Sequence, residues 1–150
     1  MKSLKTLITA AAFISAFSAA PAFAGDEYNV SKGTTVEGQG VAFRANDVVA
    51  LVTGHGIVPG QAKLTHVHDG VAYYFASKET MTKFAAAPNK YMPLFGGYCA
   101  FGVAKGKKLD GSPRFADIVD GKLYLFLNAD VYRAYEQDKA GVLTNAAANW

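Results

Sequence analysis

Residues 66 to 100 read H-V-H-D-G-V-A-Y-Y-F-A-S-K-E-T-M-T-K-F-A-A-A-P-N-K-Y-M-P-L-F-G-G-Y-C-A. Asp69-Gly70, set between two strand-like runs, signals a hairpin, because a two-residue turn needs positive φ at both positions. Such a turn places His68 opposite Val71 and His66 opposite Tyr73. Alternation then puts Leu64, His66, His68, Tyr73 and Phe75 on one face, and Thr65, Val67, Ala72 and Tyr74 on the other. Ser77 is an N-cap whose hydroxyl can accept a free N–H of the next helix. Glu79 suits the positive end of that helix, and Met81, Phe84 and Ala85 give it an apolar stripe. Pro88 ends it, since proline lacks a backbone donor and restricts the residue before it. After Gly96-Gly97, the run Tyr98 to Val103 is expected to form another strand carrying the only cysteine, Cys99.

Outward from this stretch, the C-terminal third repeats its design. Asp120-Gly121-Lys122-Leu123-Tyr124-Leu125-Phe126-Leu127-Asn128 echoes Asp69-Gly70-Val71-Ala72-Tyr73-Tyr74-Phe75-Ala76-Ser77. Both runs read D-G-x-x-Y-x-F-x-cap and lead into a helix, with Asn128 as the second cap. A last helix is expected from about Val142 to Trp150. On the N-terminal side, Val48 to Val52 reads as a buried strand, and Gly54 to Gly60 has the punctuation of a loop. Residues 25 to 40 are polar and rich in glycine, and residues 25 to 44 are expected to form an N-terminal arm. The expected fold is α+β: a small antiparallel sheet built from hairpins, with helices packed on it, spanning residues 45 to 150.

Lys2 and Lys5, an uncharged run from Leu7 to Ala20 and Ala22-Phe23-Ala24 match a signal peptide cleaved after Ala24. The run is short for a membrane span, which needs ~20 apolar residues. The expected location is therefore periplasmic or secreted, with no integral span in the mature chain. Removing Lys2 and Lys5 from the 15 basic residues leaves 13 against 12 acidic ones, a net charge near +1. No basic patch of the kind nucleic acid requires is present. One cysteine excludes an internal disulfide, so Cys99 is buried and inert, binds something or pairs between chains.

The residues from about Ala45 to Trp150 resemble the exported YHS-domain proteins, relatives of the metal-binding YHS and TRASH-type modules. The resemblance rests on Asn46-Asp47-Val48-Val49, the run Asp69 to Ser77, Phe84, Pro88, Tyr91, Pro93, Gly96-Gly97-Tyr98-Cys99-Ala100 and Asp120 to Leu125. It implies a small α+β domain, and some relatives occur near heavy-metal or copper handling systems. The metal-binding modules carry a Tyr-Phe-Cys-Ser-x-x-Cys pattern, and this chain has Ala76 and Thr80 at the two cysteine positions. Those ligands are therefore not carried over.

The candidate metal residues are His66, His68 and Cys99. Histidines two apart on a strand can point the same way, with α-carbons ~7 Å apart. Imidazole and thiolate together favour copper or zinc. A third ligand could also come from His55, Met81 or Met92. The plainer alternatives are a His66–Tyr73 strand pair, His68 at a solvent-exposed turn, and a buried Cys99. No serine elbow, phosphate loop, H-E-x-x-H helix or haem motif is present, so no enzyme is expected. Three readings follow. The first is an exported binding protein for a soft metal, the second an interaction module without metal, and the third a thiol redox protein using Cys99. The partner would be a metal ion or a periplasmic protein.

Overall fold

The computed structural model describes residues 27–30 and 33–150; the segment expected to be a signal peptide, and with it the expectation of export, lies outside the described residues. The chain builds one structural unit twice. Each unit opens with a short left-handed turn, Phe43–Ala45 in the first and Phe95–Gly97 in the second. A single helical segment follows, α1 (Val48–Val52), and later α4 (Ala100–Val103). An antiparallel hairpin comes next, β1 (Gln61–His68) with β2 (Val71–Phe75), and later β3 (Ser112–Val119) with β4 (Lys122–Phe126). Two helices close each unit: α2 (Lys78–Ala86) and α3 (Pro88–Tyr91), then α5 (Ala129–Gln137) and α6 (Lys139–Asn149). The architecture is α+β, and no helix of the described residues is long and apolar enough to cross a membrane.

The Asp-Gly hairpins form as expected. Asp69 and Asp120 take φ of 49° and 52°, and the glycines after them 77° and 73°. His66 pairs with Tyr73 and His68 with Val71, so the register read from the turn holds. Each first strand bulges at the same place, between Gln61 and Thr65 and between Ser112 and Ala116. The caps hold too. Ser77 Oγ accepts the Thr80 N–H at 3.1 Å, and Asn128 Oδ1 accepts the Val131 N–H at 2.9 Å.

Three expectations are corrected. Val48 to Val52 is helix α1, because Asp47 caps it: its Oδ1 accepts the Ala50 N–H at 3.0 Å. Tyr98 to Val103 is not a strand either, since Cys99 is the residue before the single-turn helix α4. The hairpins also do not join in one sheet; each is its own two-stranded sheet. The second strand of each hairpin has its free edge taken by a preceding segment of chain rather than by the other hairpin. Val41 bridges Ala72, while Pro93 and Cys99 bridge Leu123 and Leu125.

Two buried clusters result. The first gathers Phe43, Val48, Val49, Val71, Tyr73, Phe75, Phe84 and Tyr91, together with Leu123 and Leu125 from β4. The second gathers Phe95, Cys99, Ala100, Val103, Tyr124, Phe126, Tyr135, Val142 and Ala146. β4 serves both clusters because its residues alternate between faces. The N-terminal arm is held against the second left-handed turn. The Asn29 N–H donates to Gly96 O at 2.8 Å, and a Cβ on Gly96 would lie 1.8 Å from Glu27 O, so only glycine fits there.

Candidate functional site

His66 and His68 share one face of β1 and flank the Phe84 ring of α2. Their ring centroids lie 5.8 and 6.2 Å from it, both edge-on. Tyr73 and Phe75 cover the same ring at 4.6 and 5.2 Å. His68 keeps an opening to solvent, and its Nε2 lies 3.5 Å from Asp69 Oδ2. The same carboxylate oxygen accepts a hydrogen bond from the Tyr28 hydroxyl at 3.1 Å. Burial, then the neighbouring Asp69 charge, raises the Tyr28 phenol above its ordinary range. His68 and Asp69 thus meet at the hairpin tip, with His66 on the same strand face beside Phe84.

Cys99 lies elsewhere. It is fully buried in the second cluster, and its backbone N–H donates to Leu109 O at 2.8 Å. Its sulfur caps nothing, and its neighbours in the cluster are aromatic and aliphatic. His55 sits on the exposed loop, with Nδ1 3.0 Å from Thr53 Oγ1, and Met81 and Met92 pack against the first cluster. Among the described residues no group of three His, Cys, Asp or Glu side chains converges as a metal ion would need.

Repetition of the unit shows what replaces what. Asp47 and Cys99 both precede the first helical segment of their units. Asp47 is completely buried, and its Oδ2 accepts the Ala76 N–H at 2.8 Å and the Thr80 hydroxyl at 2.6 Å. One carboxylate therefore ties the start of α1 to the end of β2 and the first turn of α2. Positions 76 and 80, singled out by the sequence resemblance, do meet at one point, and a carboxylate holds them there. In the second unit the matching residues are Cys99, Leu127 and Val131, all packed in or against the second cluster. A second exchange links His66 and Phe84 to Asp117 and Tyr135. Asp117 Oδ2 accepts from the Tyr135 hydroxyl at 2.9 Å and from Lys139 Nζ at 2.7 Å. Burial pushes Asp117 upward, but those two donors outweigh it and hold the carboxyl below its ordinary range.

Sequence reasoning missed Asp47, although an Asp ahead of an apolar run is an N-cap signal. It also missed an open cleft of about 950 Å³ between the two units, lined by Arg44, Asn46, Ile57 and Pro59 from one side and Ser112 to Phe115 and Leu127 from the other. No family model, curated protein or solved structure matches the chain.

Proposed function

We propose that the protein is an exported, non-catalytic binding module of the YHS-like class in which Cys99 belongs to the core. The observation that carries this reading is the setting of Cys99: full burial among Tyr124, Phe126, Tyr135 and Val142, apart from the histidine face. A thiol acts as nucleophile or ligand only as the thiolate, which needs positive charge or a metal beside it. The Asp47 knot supports the same reading, because it fills with hydrogen bonds the place where two cysteines would otherwise meet. The left-handed turns and buried networks thus serve a rigid scaffold, with binding assigned to its surface.

A second reading has its own observation. His66 and His68 lie on one face of β1 beside Phe84, and a pair of imidazoles suits Cu(II) or Zn(II). Calorimetric titration of the mature protein with Cu(I), Cu(II) and Zn(II) separates the two. The first reading predicts that Cys99→Ser leaves every isotherm unchanged. Tight binding abolished by Cys99→Ser would overturn it. Tight binding abolished by His66→Ala with His68→Ala, and kept by Cys99→Ser, establishes the hairpin site.

A further inference from the structure

The first left-handed turn carries a feature its twin does not. Phe43, Arg44 and Ala45 have φ of 54°, 51° and 58° with no glycine among them, whereas the second turn uses Gly96 and Gly97. Side chains are disfavoured in this conformation, and such residues persist where the surroundings hold them and often where they serve a function. Asn46 holds this one, its Nδ2 donating to Phe43 O at 3.2 Å and Arg44 O at 3.0 Å. The turn delivers Arg44 to the cleft between the units. Its Nε is buried without a hydrogen-bond partner, a condition that calls for an explanation in a native fold. Arg114, from β3, lines the same cleft, and among the described residues neither guanidinium is paired with a carboxylate. Ile57, Pro59, Phe115 and Leu127 add apolar surface to walls that also carry Asn46 and Ser112. At about 950 Å³ the cleft falls in the size range of small-molecule sites, which favour such boundaries between units.

We propose that this cleft binds a small organic anion, a carboxylate on an apolar body, with Arg44 and Arg114 as its charge partners. The proposal rests on the binding-module reading and names its ligand class. Guanidinium forks match a carboxylate in two-point geometry, and both arginines line the cleft. The apolar side chains Ile57, Phe115 and Leu127 favour an organic body over a bare inorganic anion, which would leave them in contact with water.

The test titrates the mature protein with 4-phenylbutyrate, its neutral amide and inorganic phosphate, following amide shifts by NMR and heat by calorimetry. The carboxylate is expected to shift residues 44–46 and 112–115. Arg114→Gln and Arg44→Gly should each weaken it at least about tenfold, the loss of one charge-assisted hydrogen bond. Arg44→Gly places glycine where the backbone already suits it, so the fold is retained, as circular dichroism will show. Equal affinity for the amide, or for phosphate, overturns the organic-anion assignment. So does carboxylate binding that neither substitution weakens, and so does the lack of any shift at these residues with all three probes. Shifts confined to another surface also overturn the cleft while leaving the binding-module reading standing, which the metal titrations test separately.

Discussion

Asp47 is the residue on which the first unit depends most. Its fully buried carboxylate serves two backbone N–H groups and the Thr80 hydroxyl. Asp47→Ala leaves the Ala50 and Ala76 N–H groups unpaired, while the Thr80 hydroxyl still has Ser77 O at 3.0 Å, and each buried unsatisfied group costs ~1–3 kcal/mol. We expect a loss of at least ~2 kcal/mol in urea denaturation, with Asp47→Asn costing less because one acceptor survives. A change within ~0.5 kcal/mol, the range of ordinary surface substitutions, would contradict the role given to the knot. Little of this was legible in the sequence. Asp47 reaches Ala76 and Thr80 across 29 and 33 residues, and such contacts leave no local pattern. The histidine pair was legible, because hairpin register follows from a local turn. Where Cys99 sits depends on long-range packing, so its sequence neighbours left several settings open.

At the scale of elements, the turns and caps carry the fold. The two Asp-Gly turns were readable because only a few residue pairs tolerate positive φ at both positions. Gly121→Ala is expected to cost ~1–2 kcal/mol through the left-handed conformation alone, since a Cβ there meets nothing within 4 Å. Thermal denaturation checks the value; an unchanged Tm would mean the turn relaxes freely. Arg44→Gly is the reverse case. It removes a left-handed side chain but adds a glycine's unfolded-state entropy, so stability should hold or rise by up to ~1 kcal/mol. Stability that holds or rises while cleft binding falls is the sign of strain kept for a function. Helix α1 shows why β-rich composition misleads. Val48, Val49 and Val52 favour strands, but the Asp47 cap and burial against the first cluster decide for helix. The second unit misled likewise, since Tyr98 to Val103 is apolar throughout and its one helical turn is too short to show a period.

At the scale of the whole molecule, β4 makes the two units interdependent. Leu123 and Leu125 enter the first cluster while Tyr124 and Phe126 enter the second. Unfolding should therefore be one cooperative transition, with far-ultraviolet dichroism and the fluorescence of Trp150, in the second unit, reporting the same midpoint. Leu125→Ala should lower that shared midpoint, at ~2–5 kcal/mol for a buried leucine. Stability should also fall at high pH. Burial raises the phenols of Tyr73 and Tyr135 well above their ordinary range, and the Asp117 carboxylate adds to the rise at Tyr135. A raised folded-state pKa gives stability that is complete below the unfolded value of ~10 and is lost as pH rises beyond it. Tyr135→Phe should make that alkaline loss shallower. Asp117, with its depressed pKa, acts at the other end: its contribution is present above ~4 and lost as pH falls below that.

The claim that joins these scales is that Cys99 is part of the core and that the protein binds through its surface. Alkylation of the Cys99 thiol, followed across a urea titration at constant pH, tests it most directly. The account predicts negligible reaction in the native protein, with labelling that rises along the global unfolding curve and is unaffected by added Zn(II) in the folded state. Rapid labelling of the folded protein, or protection by metal, would contradict it.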